Sequence, residues 1–291
     1  MAKAKKSLKL IDAPVYRYWE ALYKSFYSRQ LYVDVGKRWR GFGLLYLLLA
    51  VAVLSIPFAI RVSFTLNKSY NEQIIEPLLL LPTVYVQNGE ASFDKPMPYL
   101  MNNKKNQVIA IIDTTGQVKK FSSQYPYLNI LITKNAFYFK IPTPQFFSSA
   151  IADPDSGVPL SQSFGKGENF VFDGKKIVEE NSITRFKYFS QLMTYPMIIA
   201  MFYSMFVILF LVLAFLGKVF SDTFFAFHLS FKQSSRLFIV ATTPMLFLLI
   251  MMLTIDKVFP GLGFILLALL AAYFSFAIYS LRAESRQVVS Q

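Results

Sequence analysis

The first place where this sequence could do chemistry is IIDTTG at 111–116, a carboxylate closing an apolar run. Aspartic proteases set an Asp in a D-T-G turn after an apolar strand, and they need two such carboxylates sharing one proton. Here an extra Thr separates Asp113 from Gly116, and the sequence holds no second copy, so a dimer would have to supply the partner. Phosphoryl-transfer ATPases use D-K-T-G, but Thr114 stands where the Lys would be. The competing reading is a turn: Asp and Thr side chains hydrogen-bond the nearby backbone, and Gly takes a positive φ. We expect the turn, with an envelope hydrolase using Asp113 as a remote alternative.

The other candidates are weaker. Ser163 and Lys166 fit S-x-x-K, whose Lys must be buried to act as a base. Their surroundings are rich in Gly and Ser and are expected to be exposed. GKGEN at 165–169 lacks the second Gly-Lys-Ser/Thr element of a phosphate loop. With no Cys and one His, the chain cannot supply a Cys nucleophile or a zinc finger. His228, with no expected carboxylate pair, reads as an interface residue rather than a metal ligand or pH switch. No catalytic residue, cofactor or metal is therefore expected.

The elements that would position these residues are mostly membrane helices. Of 291 residues 54% are hydrophobic and only 16% charged, with 30 Phe. Soluble domains carry about 25% charged residues. Four charge-free runs are long enough to cross about 30 Å of hydrocarbon: 41–60, a run within 188–217, 237–255 and 258–281. The first is too long and too far from the N-terminus for a cleaved signal peptide and reads as a signal anchor. No Asp, Glu, Lys, Arg or His falls inside any run, which argues against an ion-coupled pump acting alone.

Lys/Arg placement orients the chain. Residues 1–40 carry 10 Lys/Arg against 3 acids, and the net charge of the chain is +13. Basic excess also marks 218–236 and 282–291. Both termini are expected in the cytoplasm, with 61–190 and a short turn at 256–261 outside. The spans then occupy 41–60, 191–217, 237–255 and 262–281. The basic charge points to anionic membrane lipids as partners and not to nucleic acid, since no basic-aromatic binding motif accompanies it.

The N-terminal arm predicts one amphipathic helix, capped by Asp12 with Pro14 in its first turn. Val15, Tyr18, Trp19, Leu22 and Phe26 share one face, and Arg17, Glu20 and Lys24 the other. The pattern leaves open whether it lies on lipid or packs on the protein. A second interfacial helix is expected within 218–236, rich in Phe. The residues expected at the lipid interface are Arg17, Trp19, Lys24, Lys37, Arg38, Trp39, Arg40, Lys218, Lys232 and Arg236. Within the spans, Thr242, Thr243 and Pro244 could line a groove, though such groups more often pack helices together.

Segment 61–190 predicts a small, mainly antiparallel α+β domain. A helix over 64–81 ends at Pro82. TVYVQ and EASF flank Asn88-Gly89, a strong hairpin turn. QVIAII at 107–112 suits a buried strand, and LNILIT with AFYFKI makes a second hairpin. A loop is expected over 142–167, and FVFDGKKI at 170–177 reads as a strand with an Asp-Gly turn.

These features together resemble a bacterial membrane family, domain of unknown function 1189. The resemblance lies in YWEALYKSFYSRQLY, in LPTVYVQNGEASFDKPMPYL followed by VIAIIDTTG, and in one anchor, an inserted domain and a three-span C-terminal bundle. It covers roughly 10–285. Some members carry a maltodextrin-utilisation label, but no residue here forms a recognisable sugar site. The family implies a cytoplasmic-membrane location and no established activity. Asn88, Gly89, Pro96, Asp113, Thr114 and Gly116 are most like its pattern and are expected to shape the outer domain.

The expected function is a non-enzymatic accessory or scaffold subunit. Its outer domain would bind a membrane or periplasmic protein or a second copy of the chain. A lipid, sugar or other small-molecule transport component is the alternative.

Overall fold

The computed structural model describes residues 13–140, 159–180 and 182–289. The body is mostly helical, with a small sheet region. The chain divides into two compact units: Met1–Ile60 with Tyr195–Gln291, and Arg61–Thr194.

The first unit is helical. Its N-terminal arm forms two short helices, α1 (Tyr18–Lys24) and α2 (Arg29–Lys37), in place of the single helix expected. Asp12, the expected cap, lies outside the described residues. Glu20 instead accepts the backbone N–H of Arg17 at 2.8 Å, and Ser28 caps α2 through Leu31 N. Next come α3 (Leu44–Leu54) and α4 (Ile56–Tyr70), then α7 (Ser182–Phe225), α8 (Phe231–Ala241), α9 (Thr243–Thr254) and α10 (Leu262–Val289). Among the described residues, two helices are long and apolar enough to cross a membrane, Ile183–Phe225 and Leu262–Glu284. Two bent pairs pass the same test together: Leu44–Leu54 with Ile56–Leu80, bent by 48°, and α8 with α9, bent by 41°.

Both bends sit at a proline, Pro57 two residues after Ser55 and Pro244 directly after Thr243. Proline has no N–H for the carbonyl four residues back. At the second bend that carbonyl belongs to Val240, and the Thr243 hydroxyl donates to it at 2.9 Å. At the first bend the carbonyl four residues before Pro57 is Val53 O, which the Ser55 N–H approaches; the neighbouring Ala52 O accepts from the Ser55 hydroxyl at 3.3 Å and the Tyr195 hydroxyl at 2.8 Å. A ladder of rings runs through the apolar core. Phe202, Phe206 and Phe210 follow at one-turn spacing along α7, with the last two stacked at 5.2 Å. The ladder continues to Phe238 on α8 and Phe274 on α10. A Cβ on Gly217 would meet the Phe274 ring at 2.8 Å, so glycine lets these helices approach.

The segment expected as a second interfacial helix is built differently. α7 runs unbroken through Phe225, and α8 does not begin until Phe231. Phe220 packs on Phe224 and Phe225 within one helix, so no new element is needed to place them.

In the second unit, α4 passes through a π-helical turn (Asn71–Ile75) into α5 (Glu76–Leu80), which stops before Pro82. β1 (Val84–Gln87), β2 (Glu90–Ser92) and β8 (Phe170–Phe172) form a sheet ordered β2-β1-β8. β3 (Tyr99–Asn102), β4 (Val108–Asp113), β5 (Ile130–Thr133), β6 (Ala136–Lys140) and β7 (Pro159–Ser163) form a second, in that order. Among the described strands only β4 and β5 run parallel, Ala110 opposite Ile130. β4 is the centre of the unit. Ala110 and Ile112 pack into a cluster with Ile130, Ile132, Val84 and Val86, while Ile111 faces Leu128 and Leu131 on the other side. A strand covered on both faces reads as the unbroken apolar run seen at 107–112.

Three expectations here are corrected. Residues 159–163, expected in a loop, are strand β7, paired along β6 from Ala136–Ser163 to Lys140–Pro159. The rest of that loop lies partly outside the described residues. β3 had no strand expected over it. The strand with an Asp-Gly turn expected over 170–177 is strand only to Phe172: Asp173 then caps helix α6 (Gly174–Glu179) through Lys175 and Lys176 N. A Cβ on Gly174 would clash with Leu78 O.

Candidate functional site

The Asp113 carboxylate is fully buried and every oxygen is used. One oxygen accepts from Thr115 N at 2.8 Å and the Thr115 hydroxyl at 2.5 Å; the other accepts from Val118 N at 2.5 Å. Burial alone would push its pKa up. The Thr115 hydroxyl and the N–H groups of Val118, Thr115 and Gly116 outweigh that and hold the carboxyl below its usual value. Gly116 takes φ +83°, as the turn demands. Thr114 and Gly116 are half-buried beside it. This is an anchored turn at the end of β4, with both carboxylate oxygens taken up by turn donors.

Asn88 and Gly89 adopt φ of 52° and 78°, a two-residue hairpin turn with both central residues left-handed. The turn docks on GKGEN: Asn88 N donates to Asn169 Oδ1 at 2.8 Å and Gly89 N to Glu168 O at 3.0 Å. A Cβ on Gly89 would lie 2.5 Å from Gly165 O, so only glycine fits. Ala91 N reaches Lys134 O at 2.7 Å and Glu90 pairs with Lys134 at 3.0 Å, which ties β2 to the second hairpin. Pro96 is exposed between β2 and β3, and Ser163 and Lys166 are exposed as well. The structure therefore joins Asn88 and Gly89 to the glycine stretch, but it does not gather the six family-like residues into one cleft.

In the helical unit, Thr242 and Thr243 are fully buried and Pro244 is buried with them. Thr242 donates to Ile239 O at 2.7 Å, and the Tyr46 hydroxyl lies 2.6 Å from Thr243 Oγ1. They do not line an open groove, because the bend turns their hydroxyls onto the helix's own carbonyls.

Two expected lipid-interface residues are also inside. Arg236 is 8% exposed, and its guanidinium donates to the carbonyls of Trp39 and Gly36, at the C-terminal end of α2. Trp39 is 3% exposed and donates from Nε1 to Asp34 Oδ2 at 3.2 Å. The planar fork of the guanidinium meets two carbonyls that the end of α2 leaves open. Arg17, Trp19, Lys37, Arg40 and Lys232 are exposed, while Lys24, Arg38 and Lys218 are half-buried.

Asp34 was not anticipated. It is 1% exposed and receives Val15 N at 3.0 Å, Tyr16 N at 3.1 Å and Arg38 at 3.3 Å, besides Trp39. It clips the start of the arm onto α2. The available signal was its isolation: no other acid stands between Glu20 and Glu72. His228 Nδ1 lies 3.1 Å from Asp222 Oδ1, so a carboxylate does stand near it, six residues earlier in the chain. Among the described residues no group of three or more His, Cys, Asp or Glu could hold a metal.

These motifs occur inside a longer match. The family model "Protein of unknown function (DUF1189)" matches residues 19–278. The chain belongs to the DUF1189 family. The matched stretch runs from α1 to α10 and includes the Asn88-Gly89 hairpin, the Asp113 turn and the bend at Thr242. No curated protein and no solved structure matches the chain.

Proposed function

We propose that this DUF1189 chain is a non-enzymatic accessory or scaffold subunit in the cytoplasmic membrane of a bacterium. Four spans carry it: α3 with α4, α7, α8 with α9, and α10. Both termini lie in the cytoplasm and residues 61–190 lie outside, where they meet a membrane or periplasmic protein. The observation that carries this reading is the Asp113 turn: the best catalytic candidate has both oxygens committed to turn donors. The exposed surface of the outer unit adds support. Tyr85 and Val171, paired across β1 and β8, are both about half exposed and present a small apolar strip. A transport groove at Thr242–Pro244 is not favoured, because these side chains are buried.

The test is affinity purification in mild detergent from native membranes at endogenous expression, with mass spectrometry of what co-elutes. One stoichiometric membrane or periplasmic partner is the expected result. A chain that purifies alone with an activity needing no partner would overturn the proposal.

A further inference from the structure

We infer that α1 and α2 form a re-entrant helical hairpin whose aromatic tip, Phe26 and Tyr27, inserts into the acyl chains of the cytoplasmic leaflet. This rests on the four-span reading above, which places the two ends of α10 at opposite membrane faces.

The argument is one of depth. The C-terminal end of α2 sits at the cytoplasmic end of α10: a Cβ on Gly36 would meet Leu281, and Lys37 pairs with Glu284 at 4.0 Å. The other end of the hairpin lies far from that level. Phe26 O accepts from the Tyr273 hydroxyl at 3.3 Å, and the Phe26 ring packs on Phe247 of α9 at 5.9 Å. From Leu281 back to Tyr273 is eight residues, about 12 Å along a helix at ~1.5 Å per residue. Half of the hydrocarbon core is about 15 Å thick. The tip therefore lies most of the way to the midplane.

The side chains fit that placement. Tyr27 is 64% exposed, and Trp19 and Tyr23 are exposed one turn apart along α1. The two cations near the tip both bend away from it. Lys24 reaches back over the Tyr16 ring at 4.0 Å and toward Glu20 at 3.9 Å. Arg29 lies over Phe276 at 5.9 Å and Tyr279 at 5.6 Å, both closer to the cytoplasmic end of α10 than Tyr273. Long cationic side chains on a membrane-inserted segment turn toward the headgroups in this way. The backbone of the tip is also covered: Ser25 N donates to Ala21 O, Ser28 N to Lys24 O, and Ser25 O accepts from the Tyr32 hydroxyl. A helix lying flat in the interface would put Trp19, Tyr23 and Tyr27 at one depth. The hairpin puts Tyr23 about 6 Å deeper than Trp19 along α1, with Tyr27 beyond it in the turn.

The chain has no Cys, so single-Cys variants can be spin-labelled directly. The full chain would be placed in vesicles of phosphatidylethanolamine and phosphatidylglycerol. Collision with oxygen and with nickel ethylenediaminediacetate would be measured for Trp19→Cys, Tyr23→Cys and Tyr27→Cys, with Leu267→Cys and Arg40→Cys as references. All five positions are exposed, so the labels leave the core intact. The expected result is an oxygen-to-nickel ratio rising from position 19 to 27 and reaching that at 267. Equal ratios at 19, 23 and 27, or a ratio at 27 near that at 40, overturn the hairpin while leaving the four spans standing. Nickel access at 267 overturns the four-span reading, and the hairpin with it.

Discussion

Replacing Asp113 by Asn separates a turn anchor from a catalytic acid. The native carboxylate accepts three hydrogen bonds, from the N–H groups of Thr115 and Val118 and from the Thr115 hydroxyl. Asn offers one acceptor oxygen and sets an NH2 group against N–H donors. Leaving a buried donor unsatisfied costs about 1–3 kcal/mol, and losing a hydrogen bond whose donor can reach water costs about 1 kcal/mol. Val118 N is the half-buried donor, whereas Thr115 is exposed. The total is about 3 kcal/mol. A unit of this size loses roughly 4 °C of melting temperature per kcal/mol, so a fall on the order of 10 °C is expected. The sign of the pH dependence follows from the depressed native pKa. The carboxylate's contribution is complete above its unfolded value of about 4 and is lost as pH falls through the native value, at about 1.4 kcal/mol per unit. The assay is calorimetric or proteolytic melting of the full chain in detergent micelles between pH 7 and pH 3. Wild type should lose stability in acid more steeply than Asp113→Asn, and the two curves should converge there. An Asp113→Asn protein as stable as wild type at pH 7 would refute the turn-anchor reasoning and return the residue to the catalytic candidates.

Other substitutions test the remaining contacts. Gly89→Ala, at φ +78° with Gly165 O where its Cβ would go, should destabilise the outer unit by about 1–3 kcal/mol, read as a lower melting temperature. Asp34→Asn should loosen the arm it clips, seen as faster trypsin cleavage at Arg17 in intact micelles without a change in the outer unit's melting. Thr243→Val removes the hydroxyl between Tyr46 and Val240 O and should cost about 1 kcal/mol, measured by denaturation in mixed micelles; no loss would mean the pair carries no net energy. Arg236→Lys should destabilise the helical unit although the charge is kept, because an ammonium cannot reach both Trp39 O and Gly36 O as a fork does.

Local chemistry explains which elements were readable beforehand. Asn88-Gly89 announces a hairpin because few dipeptides accept two left-handed residues, and the turn forms as read. The run at 107–112 announces a buried strand because both of its faces are covered. β7 was hidden because PLSQS has no alternation; it is a strand only through its pairing with β6, and all five residues are exposed. Asp173-Gly174 could open a hairpin or a helix, and the close approach of Leu78 and Leu81 decides for the helix. The candidate site was half legible. The D-T-T-G string leaves turn and acid open, and the count of donors around Asp113 distinguishes them.

What the sequence by itself determined is the set of apolar runs, the turns written in Gly, Asn and Pro, and the family, because each depends on neighbours a few residues apart. What only the tertiary structure decided is which charges and hydroxyls go inside. Arg236 and Asp34 stand in basic, polar stretches that read as surface, yet both are buried. Their partners are backbone groups left open at helix ends, Gly36 O and Trp39 O for one and Val15 N and Tyr16 N for the other. A backbone group carries no residue-type signal, so such a partner becomes visible only once the helices are packed.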